Sequence, residues 1–245
     1  MSKILLVTGA SSDIGCELIR RISGDYDVIL AHYGNSEYKV KALIESVKNS
    51  MIIPLQADFS CDIDVKKMVD EIIVRDLIPS HFVHLPAIPI VNKRFKETDW
   101  EEFEAQINIS LKSAYILCYS ILPNMARKNY GKIVFMLTEN IVCDPAPKYV
   151  IPYTTAKSAL FGLMRCLAAE YSDKHICING VSPAFFESHF ISLLPELVRD
   201  MNAGTFPMKR NLTISEIIPT IEFLLSSGSD ALTGRNIAVT GGRRG

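Results

Sequence analysis

Short apolar runs alternate with longer segments in which apolar residues recur every three or four positions, almost to the end of the chain. The runs predict strands at Ile4–Thr8, Val28–His32, Met51–Gln56, His81–His84, Lys132–Leu137, Ile176–Val181 and Asn236–Val239. The longer segments predict helices over about 13–23, 37–48, 62–75, 99–127, 153–171 and 213–226. The runs are nearly continuous Val, Ile and Leu, the mark of parallel strands covered by helices on both faces. The alternation therefore predicts an α/β fold, a doubly wound parallel sheet in a single domain, with no Pro-, Gly- or Ser-rich linker dividing it. Residues 184–210 are the longest departure and are expected to form a lid over a binding site. In such sheets ligands bind at the carboxyl ends of the strands, so the residues that follow each strand carry the chemistry.

Composition narrows the function classes. The chain is 48% hydrophobic and 22% charged with net charge −1, so bulk electrostatics give no reason to expect a nucleic-acid or membrane surface. Its six cysteines are scattered, with no C-x-x-C pair, and no metal site or disulfide is expected. No apolar stretch is long enough for a transmembrane span and no signal-peptide pattern is seen; a cytoplasmic protein is expected.

After the first strand comes Thr8-Gly9-Ala10-Ser11-Ser12-Asp13-Ile14-Gly15. Gly9 suits a tight turn, and Gly15 lets the next helix pack closely, with its N-terminus favouring an anion. Asp13 is the anomaly, because a carboxylate repels a pyrophosphate. Asp is also a good helix N-cap, so Asp13 is expected to turn inward onto the first N–H groups. The tip of the second strand, Ala31 to Ser36, holds no acid to accept from a ribose 2′-hydroxyl. That favours NADP(H) over NAD(H), with His32, Asn35 and Ser36 as candidate phosphate contacts. Asp58 follows the third strand, where it either accepts from an adenine amine or caps the next helix.

Tyr153 and Lys157 stand four residues apart at the start of a long amphipathic segment, on one helical face. A nearby ammonium favours phenolate and lowers a tyrosine pKa from about 10. Tyr153 is thereby a candidate general acid or base.

These residues bring the chain to a family. It resembles the short-chain dehydrogenases/reductases, most closely the 3-oxoacyl-[acyl-carrier-protein] reductases, over essentially its whole length. The resemblance runs through TGASSDIG, Ala57-Asp58, QINISL, GKIVFMLT, YTTAK, INGVSPAFFES and LTGRNIAVTGG. It implies a Rossmann-like fold, NAD(P)(H) and hydride transfer at a carbonyl carbon. Tyr153 would be the proton donor, Lys157 would hold the nicotinamide ribose, and Thr138 would polarise the carbonyl in place of the family's Ser. Asn108 would match the helix residue that holds a water in the proton relay; read by itself, it is equally an interior Asn bonded to backbone.

The chain also departs from the pattern. His84-Leu85-Pro86-Ala87 replaces the family's Asn-Asn-Ala-Gly, which puts His84 and Pro86 against the cofactor cleft. Pro183-Ala184 replaces Pro-Gly, and Pro183, Phe186 and Ser188 are expected beside the nicotinamide. The stretch from Thr138 to Tyr153 is longer than in close relatives, so residues 139–152 must bulge.

The resemblance implies NADPH-dependent reduction of a 3-oxoacyl thioester in fatty-acid or polyketide-type synthesis. The substrate would be carried on an acidic acyl carrier protein that meets Arg127, Lys128 and Lys174. Phe185, Phe186, Phe190, Ile191, Leu193, Leu194, Leu197 and Phe206 give the expected lid an apolar face for an acyl chain. Segments 99–127 and 153–171 are expected to pair in a homodimer or homotetramer. Two other readings stay open: an NAD-linked alcohol dehydrogenase of the same family, and a catalytically silent nucleotide-binding partner.

Overall fold

The computed structural model describes residues 2–188, 192 and 195–243. Seven parallel strands form one sheet: β1 (Ile4–Thr8), β2 (Val28–Tyr33), β3 (Met51–Gln56), β4 (His81–His84), β5 (Gly131–Met136), β6 (Ile176–Pro183) and β7 (Asn236–Val239). Their spatial order is β3-β2-β1-β4-β5-β6-β7. Helices α1 (Asp13–Ile22), α2 (Glu37–Ser46), α3 (Asp62–Val74), α4 (Trp100–Ile107), α5 (Ser113–Lys128), α6 (Ile151–Glu170), α7 (Glu196–Thr205) and α8 (Ile214–Leu225) connect them.

Side-chain alternation along β1 divides the core. Leu6 joins Val65 and Met68 of α3, Leu117 and Ile121 of α5 and Leu160 of α6 on one face. Leu5 and Val7 join Leu18 and Ile19 of α1, Leu43 of α2 and Ile217 and Ile221 of α8 on the other. Each such side chain contributes about 1.5–3 kcal/mol by leaving water. Both faces are covered, which is why the strands read as unbroken apolar runs. No helix among the described residues is long and apolar enough to cross a membrane.

The strand order reverses beside β1, which pairs with β2 on one side and β4 on the other, Thr8 standing level with His84. Crevices at the carboxyl ends of strands open at such a reversal. The predicted helix over 99–127 is broken: a π-helical turn, Asn108–Lys112, separates α4 from α5, with the Ser113 N–H donating to the Asn108 carbonyl. Part of residues 184–210 is helix α7, with Leu197 and Met201 exposed. Phe206 is instead fully buried with Ala184 and Leu212. Phe190, Ile191, Leu193 and Leu194, expected on the lid, lie outside the described residues.

Candidate active site

The turn after β1 is built on two glycines. Gly9 has φ +72°, and a Cβ there would meet the Leu85–Pro86 backbone at 3.3–3.4 Å. A Cβ at Gly15 would stand 2.5 Å from the Gly9 carbonyl, so α1 can approach the turn only with glycine at that position. The α1 N-cap is Ser12, not Asp13. Ser12 Oγ accepts from the Gly15 N–H at 3.1 Å and donates to the Gly9 carbonyl at 2.7 Å. Asp13 is the first helical residue and pairs with Lys39 of α2 at 3.1 Å. Burial lowers the Lys39 pKa, but the hydrogen bond and charge of Asp13 outweigh it and hold the ammonium above its ordinary value. The carboxylate that seemed hostile to phosphate is thus met by a cation. Ser11 is half-buried and Ile14 buried in the same turn.

His32 and His84 are not open to a ligand, contrary to the sequence expectation. His32 Nδ1 accepts from the Gly9 N–H at 3.1 Å, and its Nε2 meets the Ala57 carbonyl at 3.1 Å, which fixes the Nε2–H tautomer. The ring stacks on Phe59 with centroids 3.8 Å apart. Burial pushes its pKa down to about 4. His84 is fully buried, its Nδ1 2.9 Å from Thr8 Oγ1 and its Nε2 3.2 Å from the Ser110 carbonyl on the π-helical turn. Burial, then the charge of Lys157, hold this imidazole well below its usual pKa. Both histidines brace the cleft wall from behind. Asn35 is exposed and Ser36 half-buried at the tip of β2. Asp58 is exposed and accepts from the Ser60 N–H at 2.8 Å and from its hydroxyl at 2.7 Å, bonds that hold its carboxyl below the usual range. It shapes a turn rather than capping α3, whose N-cap is Cys61.

Thr138 follows β5, is 6% exposed, and caps a short 3-10 turn, Glu139–Ile141. Tyr153 and Lys157 lie on successive turns of α6. Burial raises the Tyr153 pKa, the nearby Thr138 side chain offsets part of that, and the Glu139 carboxylate adds to it. The expected depression by Lys157 is not found. The Lys157 ammonium instead donates to the Met136 carbonyl at 2.8 Å and to the Pro86 carbonyl at 3.5 Å. Burial lowers its pKa to about 8. Two of its three N–H bonds are thus spent on the ends of β5 and of the segment after β4.

Asn108 is half-buried at the start of the π-helical turn, a backbone irregularity common at functional sites. Pro183 ends β6 opposite Val239, and Phe186 pairs with Leu212, so this segment is pinned from both sides. Ser188 is half-buried just beyond it. The long stretch between Thr138 and Tyr153 is taken up by the 3-10 turn and an extended loop, with Asn140 Nδ2 donating to Thr154 Oγ1 at 3.3 Å.

Sequence reasoning missed the Glu139–Arg243 ion pair at the rim, 3.1 Å long. Glu139 is 7% exposed, and burial raises its pKa while Arg243 pulls it back. The Arg243 guanidinium also donates to Asn202 of α7 at 3.2 Å and lies 5.3 Å over the Phe206 ring.

The residues present fit a dinucleotide. The N-terminus of α1 favours phosphate, Asp58 offers an exposed acceptor for an amine, and Lys157 holds an N–H over for a ribose hydroxyl.

Arg127, Lys128 and Lys174 stand where β5 and β6 begin, the edge of the sheet opposite Thr138. Lys174 pairs there with Asp173 at 2.9 Å.

A protein-family model described as enoyl-(acyl carrier protein) reductase matches residues 9–244. The chain is 27% identical to the 3-oxoacyl-[acyl-carrier-protein] reductase of Staphylococcus epidermidis over 246 residues, covering 99% of each protein. It is 28% identical to the acetoacetyl-CoA reductase of Allochromatium vinosum over 248 residues, covering 99% of this chain and 98% of that one. A putative gluconate dehydrogenase from Agrobacterium tumefaciens has the same fold, with a TM-score of 0.89 at 22% identity, covering 98% of this chain and 95% of the other.

Proposed function

The chain belongs to the short-chain dehydrogenase/reductase family of NAD(P)-dependent oxidoreductases, and on that premise we propose that it reduces the ketone of a 3-oxoacyl thioester to a hydroxyl. The observation that carries this reading is the placement of the Thr138 hydroxyl where it offsets the rise in the Tyr153 pKa, with Lys157 one turn further along α6. The nicotinamide cofactor supplies the hydride. Negative charge then develops on the carbonyl oxygen and is met by the Thr138 hydroxyl, while the Tyr153 phenol delivers the proton. A half-buried tyrosine held above its ordinary pKa stays protonated at neutral pH, which suits an acid in the reductive direction. Lys157, anchored on Met136 and Pro86, keeps its remaining donor for the cofactor's ribose. Asn108 would orient a water behind it.

NADPH is the proposed cofactor, because no carboxylate stands between Ala31 and Ser36 and Asn35 is exposed there. Gly9, Ser11, Ser12, Ile14 and Gly15 would cradle the pyrophosphate, Asp58 the adenine, and Pro183, Phe186 and Ser188 the nicotinamide. A 3-oxoacyl thioester is favoured by the printed activities of the two curated relatives. A carrier protein is an accompanying proposal, although Arg127, Lys128 and Lys174 face the far edge. Pairing through α5 and α6 into a dimer or tetramer is proposed from exposed Tyr115 and Tyr119 on α5 and half-buried Leu163 and Leu167 on α6.

The test is single-turnover reduction of a 3-oxoacyl thioester with NADPH and NADH in parallel. Tyr153→Phe is expected to lose about 10²–10⁴-fold in rate while still binding NADPH. Reduction by Tyr153→Phe at the parent rate would overturn the assignment. A clear preference for NADH would favour the alcohol dehydrogenase reading, and NADPH binding without turnover of any carbonyl the silent-partner reading.

A further inference from the structure

A cavity adjoins Tyr153. It has a volume of about 150 Å³ and lies between the segment after β4, helix α4 and the first turn of α6. The Lys93 N–H donates to the Tyr149 carbonyl at 3.0 Å, tying the two loops that enclose it. Ile88, Ile90 and Val150 make its wall apolar, Tyr153 closes one side, and Thr98, with Glu102 and Gln106 of α4, adds polar groups.

The Glu102 carboxylate is engaged by Lys93 in an ion pair. Gln106 is different. It is 5% exposed, its Nε2 donates to the Pro89 carbonyl at 3.5 Å, and its Oε1 is buried with no hydrogen-bond partner among the described residues. The Pro89 carbonyl fixes the amide orientation, since only the N–H end can meet it. A buried carboxamide oxygen without a partner is costly to maintain, and Gln106 lines a cavity with room for about five water volumes.

We propose that this cavity receives the substituent of the substrate beside the reacting carbonyl, and that Gln106 selects a short, neutral chain tipped with a hydrogen-bond donor. A hydroxyl would satisfy Oε1 while its methylenes lie on Ile88, Ile90 and Val150. A carboxylate has no donor for Oε1 and would leave it unpaired. A long unbranched acyl chain exceeds the volume. A site built to bond a hydroxyl rejects the analogue lacking it, because its buried polar atom is then left unpaired.

This inference rests on the reading of Tyr153 as proton donor, and the experiment separates the two. The probes are the N-acetylcysteamine thioesters of 3-oxopentanoate and 5-hydroxy-3-oxopentanoate. Calorimetric titration without cofactor reads the cavity independently of turnover. The parent is expected to bind the hydroxylated thioester about tenfold more tightly, the difference of one buried hydrogen bond. Gln106→Leu is expected to abolish or reverse that preference, and Gln106→Met serves if the leucine variant folds poorly. Ile90→Phe, which fills the cavity from the loop, should weaken both ligands. Equal binding of the pair by the parent, or an unchanged preference in the Gln106 variants, overturns the proposal. A binding preference without turnover of either probe supports the cavity assignment and removes Tyr153 as the acid. The kcat/KM ratio of the two probes should follow the same tenfold preference where turnover occurs.

Discussion

Arg243, near the end of the described chain, reaches Glu139 at 3.1 Å and so ties the tail to the residue beside Thr138. The same guanidinium bonds Asn202 and covers Phe206, so one side chain joins the β5 loop, α7 and the segment after it. Glu139 disfavours phenolate at Tyr153. Glu139→Gln should therefore lower the apparent pKa of Tyr153 and move the rising limb of the pH–rate profile for alcohol oxidation to lower pH. Arg243→Gln leaves a largely buried carboxylate without its cation, with an expected stability loss of about 1–3 kcal/mol. A pH–rate profile for oxidation of a 3-hydroxyacyl thioester, beside urea unfolding, reads both effects. A profile that does not move in Glu139→Gln would separate this pair from the chemistry.

Asp13 and Lys39 make a second prediction. Lys39→Met removes the ammonium that Asp13 meets at the phosphate turn and should weaken NADPH binding about two- to tenfold. Asp13→Asn should bind at least as well as the parent, because Ser12 and not Asp13 caps α1. The double variant should lie near Asp13→Asn. Additive losses in this cycle, with Asp13→Asn weaker than the parent, would mean that the carboxylate itself organises the turn.

The elements were legible where burial made their pattern continuous. The bounds of β1, β3, β4 and β7 follow the apolar runs residue for residue. The helix over 99–127 was not legible as two, because a π-helical turn shifts the phase of an amphipathic stripe without interrupting its apolar composition. Asp13 and Ser12 are both good caps, and only the Ser12–Gly15 bond decides between them. His32 carried a usable signal: it shares the parity of Leu30 on β2, and Leu30 belongs to the core face that also holds Phe59. Glu139 and Arg243 are so far apart in sequence that no local pattern links them.

The buried histidines make folding stability sensitive to acid. Burial holds His32 at about 4 and His81 at about 3, and His84 is well below its ordinary value. An unfolded imidazole takes up its proton near 6.5. Below that pH the unfolded chain binds more protons than the folded one, so stability is full above about 6.5 and falls from there toward about 4. His32 and His81 are each expected to cost about 2 kcal/mol at pH 5, and His84 acts in the same direction. Denaturant unfolding at several values from pH 7.5 to 5 measures the slope. His81→Gln, at the strand end far from the site, should flatten it by about one proton's worth; an equally steep variant would show that His81 takes no part.

Lys157 sets a pH dependence on the opposite side of neutrality. Its ammonium is buried against the Met136 and Pro86 carbonyls, and its pKa is lowered to about 8. If the charged form holds the ribose, cofactor affinity is full below that value and declines as pH rises through it, by up to about tenfold per pH unit. Lys157→Arg keeps its charge throughout and should give a flat profile, at reduced affinity because a planar guanidinium does not fit a site built around a compact ammonium. Lys157→Ala should be both weak and flat. Fluorescence titration of NADPH from pH 7 to 10 distinguishes these curves. A parent affinity that stays constant across the range, or an alanine variant that keeps the parent slope, would assign the titration to another group and leave Lys157 as a brace between β5 and the segment after β4.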